Sequence, residues 1–128
     1  MRSIAVLAVI GAAMLVAACA GTPAFGGIGW RGPSLAEMQQ ACGEQTVDFG
    51  PYASAVHTAT FDAFVANRRG HVTHEQFCGF QTALAQKYAA FGTSSDPQQR
   101  SQWIQFLNDQ RATAISWRAF VDPTLRAG

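Results

Sequence analysis

The chain has 128 residues and a formal charge of +1, nine Lys or Arg set against eight Asp or Glu. That balance gives no electrostatic case for binding nucleic acid or an anionic lipid surface. Only 13% of residues are charged, while there are nine Phe and three Trp; part of the surface is therefore expected to rest against something.

Met1-Arg2-Ser3 opens into an apolar run from Ile4 to Ala18 broken only by Gly11. One cation before a short greasy stretch has the shape of a secretory signal. Crossing about 30 Å of bilayer hydrocarbon takes about 20 apolar residues, so a spanning segment is disfavoured. The run ends in Val16-Ala17-Ala18-Cys19, which resembles the lipobox of bacterial lipoproteins. The resemblance implies removal of residues 1–18 and acylation of Cys19, palmitate included, as the new N-terminus. Two or three acyl chains, at about 0.8 kcal/mol per buried CH₂, make an anchor that is effectively permanent. Ala18-Cys19-Ala20 also fits ordinary signal peptidase, which leaves plain secretion as the competing reading. Ala20, where enterobacterial lipoproteins kept in the inner membrane carry Asp, implies the outer membrane, facing the periplasm.

Residues 19–33 are rich in glycine and include Pro23 and Pro33, with Phe25 and Trp30 interleaved. That composition reads as a flexible lipidated tether, and residues 34–128 as the domain it carries. An oxidising compartment makes the two remaining cysteines, Cys42 and Cys78, one expected disulfide; the alternative is two buried free thiols.

Helix signals then follow in order. Ser34 with Glu37 forms a capping-box pattern before Leu35, Met38 and Cys42, and Gly43 is placed to stop that helix. Gly50-Pro51 opens a second helix running to about Asn67. Thr73 with Gln76 starts a third, toward Phe91. Asp96-Pro97 with Gln99 starts a fourth containing Trp103, Ile104 and Leu107, and a short fifth turn from Ser116 is expected to stop before Pro123. No alternating strand pattern intervenes. The expected fold is all-α.

Two stretches organise these helices. In Phe61 to Phe77, Phe61 and Phe64 stand where an EF-hand carries its entering aromatics. Gly70, Val72 and Phe77 stand at its turn glycine, its ladder aliphatic and its exiting aromatic. In Ile104 to Phe120, Ile104, Leu107, Ile115 and Phe120 repeat the pattern. Together they resemble an EF-hand pair, preceded by one extra helix, with Val72 and Ile115 side by side. The ligand positions depart from the family. The first loop offers Val65, Asn67, Arg69, Thr73 and Gln76; the second offers Asn108, Gln110, Ala112, Ser116 and Ala119. No carboxylate stands at any of these positions, and Arg69 would place a cation in the cavity, so neither loop is expected to bind calcium. Thr113 also replaces the second loop's glycine, where a β-branched residue resists positive φ.

His71, His74 and Glu75, with His57, invite a transition-metal reading. The structural reading is preferred, because Glu75 in a first helical turn suits the positive helix end. No nucleophile turn, carboxylate pair or phosphate-cradling loop marks an enzyme. The aromatics Phe61, Phe64, Phe77, Phe80, Trp103 and Phe120 are expected in the core. The resulting expectation is a non-enzymatic envelope lipoprotein without metal or cofactor. Its calcium-independent EF-hand-like domain would be structural or bind a protein partner; the alternative is a divalent-metal sensor or buffer of the EF-hand type.

Overall fold

A computed structural model describes residues 32–126 of the chain. The expectations for the signal, the tether and acylation at Cys19 fall on residues outside that range, apart from Gly32 and Pro33 at the tether's end. The described domain is all-α. Four helices make up most of it: α1 (Leu35–Ala41), α2 (Ala53–Arg68), α3 (His74–Lys87) and α4 (Pro97–Val121), followed by a short turn of helix, α5 (Pro123–Arg126).

The helix starts follow side-chain chemistry that is readable in the sequence. Ser34 Oγ accepts from the Glu37 amide while Glu37 Oε1 accepts from the Ser34 amide, closing the capping box of α1. Thr73 and Gln76 make the same reciprocal pair at α3. At α4, Asp96 Oδ1 accepts from the Gln98 amide at 3.0 Å, so the cap uses the backbone beside Gln99 rather than a Gln99 box. Pro51 sits in a 3₁₀ turn, Gly50–Tyr52, that leads into α2.

Two helices stop by one device. After α1, Gly43 at φ +73° lets its own amide reach Gln40 O and the Glu44 amide reach Gln39 O. After α2, Gly70 at φ +84° lets its amide reach Asn67 O and the His71 amide reach Ala66 O. These paired bonds are Schellman stops, which need a residue tolerant of positive φ.

The second stop corrects the first EF-hand-like loop. Val65 and Asn67 remain inside α2 and Gln76 lies in the first turn of α3, so the link between the helices is only residues 69–73. Asn67 Nδ2 donates to Val72 O at 2.9 Å and closes that link on itself. The second loop does not form. Asn108, Gln110, Ala112, Ser116 and Ala119 all lie within α4, which runs unbroken for 25 residues, roughly 37 Å at 1.5 Å per residue. Ile115 is helical and 52% exposed, whereas Val72 is buried, so the expected Val72–Ile115 ladder is absent. The separate fifth turn at Ser116 is absorbed into α4 as well. The physical reason is a lack of any breaker between Pro97 and Val121, together with an apolar stripe that keeps its helical register. Trp103, Leu107 and Ala114 are buried, and Trp117 packs on Phe80 at 5.7 Å.

The core lies between α2 and α4, which share the largest helix–helix contact. On α2 the buried residues Val56, Ala59, Ala63 and Ala66 recur at helical spacing, and their small side chains let α4 approach closely. Arg118 Nη1 of α4 donates to Asp62 Oδ1 of α2 at 2.7 Å, and its guanidinium lies 5.5 Å from the Phe61 ring centroid. Phe120, expected in the core, is 60% exposed and stacks on His71 at 3.9 Å. At the other end Phe49, Tyr52, Tyr88 and Trp103 form one aromatic cluster with centroids 5.1–6.1 Å apart.

Candidate functional site

α3 does not end as an ordinary helix. Tyr88–Gly92 forms a single π-helical turn, wider than the α-helix before it. A Cβ on Gly92 would lie 2.1–2.9 Å from atoms of the Tyr88 ring, so the turn closes this tightly only with glycine there. The turn lets two aromatics serve two surfaces. Tyr88 joins the Trp103 cluster, and Phe91 faces the middle of α4.

There Phe91 and Phe106 border a groove of about 360 Å³, lined also by Ala83, Gln86, Lys87 and Ala90. Lys87, in the last turn of α3, reaches over both rings: its Nζ is 5.3 Å from the Phe91 centroid and 5.2 Å from that of Phe106. Each ring attracts the ammonium through its quadrupole, by about 0.5–1 kcal/mol at an exposed site. Among the described residues, the ion pairs are those of Arg118 with Asp62 and Asp122, and Lys87 forms none. The groove is thus apolar with one positive charge fixed above it. Of its lining residues the sequence reading named only Phe91, as the end of the third helix. Lys87 and Phe91 are spaced as helical neighbours, and the packing of α3 beside α4 adds Phe106.

Cys42 and Cys78 are joined, with Cα atoms 5.5 Å apart. Gln81 reinforces the bridge: its Nε2 donates to Met38 O at 3.0 Å and to Cys42 Sγ at 3.2 Å. Thr82 adds a bond to Glu44. These contacts tie α1, whose buried side chains are Met38 and Gln39, to α3, while the helix itself packs on α2.

The histidines go to separate places. His57 Nε2 is 3.1 Å from Pro33 O, His71 lies on Phe120, and His74 is beside Cys78 Sγ. Among the described residues no group of three or more His, Cys, Asp or Glu is gathered where it could hold a metal ion. Arg69, placed at a cation-repelling loop position by the sequence, instead donates through Nη1 to Val121 O at 3.1 Å, the last residue of α4. A cation at that end of a helix is favoured by the helix dipole.

Nearby, Asp122 accepts from the hydroxyl and amide of Thr124 at 2.6 and 3.1 Å. The Thr124 hydroxyl, with help from its amide and from Arg118 and Arg69, holds the Asp122 carboxyl below the usual carboxylate range against the opposing effect of desolvation.

No protein-family model, curated protein or solved structure matches this chain. Its site is read from its own geometry. Among the described residues no helix is long and apolar enough to cross a membrane.

Proposed function

We propose that this protein is a non-enzymatic envelope lipoprotein, anchored through Cys19, whose helical domain binds a protein partner. The groove under Lys87 carries the binding reading. It is an apolar trough with a single unpaired ammonium, which complements a segment presenting an apolar side chain beside a carboxylate. The envelope location is supported by the Cys42–Cys78 bridge, since disulfides persist in oxidising compartments, where a signal ending at Ala18 would deliver the domain. Cys19 acylation, the outer membrane and the periplasm-facing orientation are parts of the same proposal and rest on residues 1–20.

Two experiments test it. The intact mass of the full chain recovered from bacterial membranes should show diacylglycerol and acyl additions. Cys19→Ala should remove them and leave the protein unanchored. An unmodified, freely extracted wild-type chain would refute the anchor. For the groove, an amphipathic Leu- and Glu-containing helical peptide should shift amide resonances of Ala83–Phe91 and Phe106. Lys87→Glu should abolish those shifts. Shifts that survive charge reversal, or none at all, would sink the groove reading.

A further inference from the structure

Both sulfurs of the Cys42–Cys78 bridge face a polar side chain that a purely structural disulfide has little use for. His74, one turn before Cys78 in α3, has Nε2 3.5 Å and Nδ1 3.9 Å from Cys78 Sγ. Gln81, on the inner side, directs Nε2 to Cys42 Sγ at 3.2 Å. A disulfide sulfur is a weak acceptor, so neither contact gains much while the bridge is closed. Once a sulfur carries negative charge, both become strong, and an imidazolium beside a thiolate most of all. His74 is exposed and both cysteines are only half-buried, which leaves the bridge open to an incoming thiol.

We infer that Cys42–Cys78 is a thiol–disulfide exchange site, opened by a dithiol reductant, at which Cys78 departs as a thiolate held by His74. In the first step a reductant thiolate attacks Cys42 Sγ. A bond forms between the reductant sulfur and Cys42, the Cys42–Cys78 bond breaks, and its electron pair stays on Cys78 Sγ beside the His74 ring. The second reductant thiolate then attacks the reductant's own sulfur in the mixed disulfide. That closes the reductant's disulfide and releases Cys42 as a thiolate, which takes a proton from water within reach of the Gln81 amide. In sum the dithiol gives up two electrons to the protein disulfide and two protons to the solvent; one proton reaches Cys42 through water, and Cys78 remains a thiolate.

The carboxylates nearest the cysteines along the chain are Glu75 on α3, Glu37 in the cap of α1 and Glu44 in the linker after it, the last engaged by Thr82. A carboxylate opposes a thiolate, so a lowered Cys78 value would point to His74. Opening the bridge removes the covalent tie between α1 and α3 and leaves the Gln81–Met38 and Thr82–Glu44 hydrogen bonds, with Met38 still packed in the core. Reduction therefore weakens the hold on α1 more than that on α4, which the bridge does not touch. The groove under Lys87 is bordered by neither cysteine, so the inference is independent of the binding proposal.

The test uses the full chain, with alkylation read by mass spectrometry on the peptide that contains Cys78 so that Cys19 does not interfere. In Cys42→Ala, Cys78 is a free thiol and should titrate below the ordinary value of about 8.5. Adding His74→Ala should return it toward that value, and His74→Lys, which restores a cation, should lower it again. With the bridge intact, dithiothreitol should reduce His74→Ala roughly threefold or more slowly than the parent, because a leaving thiol of higher pKa departs more slowly. Amide exchange should quicken in residues 35–41 on reduction while α4 stays protected. The idea fails if Cys78 titrates at or above the ordinary value in Cys42→Ala. Reduction at an unchanged rate in His74→Ala would also defeat it, and circular dichroism would verify that this exposed substitution leaves the fold intact.

Discussion

Residues 65–76 and 108–119 carry the same apparent pattern and take different structures. Both stretches follow an amphipathic helix, both have an aliphatic residue at the eighth place, and both lead to an aromatic, Phe77 or Phe120. The first breaks into helix, link and helix; the second is helix throughout. What separates them is small and local. The first has Gly70 at φ +84° to end α2 and a Thr73–Gln76 box to start α3. The second has Thr113 where the glycine would be and no capping pair after it. A hydrophobic motif spaced like a loop does not make a loop unless the backbone is given both a stop and a start.

The comparison can be broken most severely at Thr113. Thr113→Pro would remove a helical hydrogen bond and force a break inside α4. The expected loss is about 3 kcal/mol or more, read from urea unfolding. A loss below about 1 kcal/mol would mean that the middle of α4 is not continuous helix in solution.

Gly70→Ala tests the stop. A Cβ there meets open space, so the cost is that of the left-handed backbone alone, about 1–2 kcal/mol. Unchanged stability would show that α2 ends by some other means. Thr73→Ala, which removes the side-chain half of the α3 start, should cost about 1 kcal/mol and speed amide exchange at Gln76.

Thr113→Gly sharpens the contrast with a small number. In a helix it should destabilise by a few tenths of a kcal/mol, whereas in a turn of positive φ it would stabilise. The sign alone decides.

The smallest effect is at the far end of α4. Asp122 is held below the usual carboxylate range, so its support for the last turn is complete above the ordinary carboxylate value of about 3.9. That support is lost as pH falls through the lower folded value. Acid titration should move the Thr124 amide resonance. Asp122→Asn should remove the pH dependence, and its persistence would place the titrating group elsewhere.

Where a feature was legible, one residue or a close pair determined it. The capping residues Ser34, Thr73 and Asp96 each start a helix, and Gly43 ends one, because these effects act within a few bonds. The disulfide was expected on a different ground: of three cysteines, the lipobox resemblance reserved Cys19, and the structure joins the other two. The candidate site was not legible. Lys87 and Phe91 are four apart and meet as helical neighbours do, but Phe106 joins them only through the way α3 and its π turn lie beside α4, which no local signal states. Phe120 misled in the opposite direction, an aromatic with core spacing that the length of α4 carries out to the surface beside His71.

The amino-acid sequence by itself determined that the domain is helical and where three helices begin. Those outcomes follow from backbone capping and glycine's access to positive φ, neither of which needs distant partners. Residues 108–119 stay helical because no local stop or start interrupts them, and packing reinforces this by burying Trp103, Leu107, Ala114 and Trp117 along one unbroken stripe. Tertiary packing alone set Phe106 beside Lys87 and Phe91, since side-chain neighbours across helices are fixed by how the helices pack and not by their order along the chain.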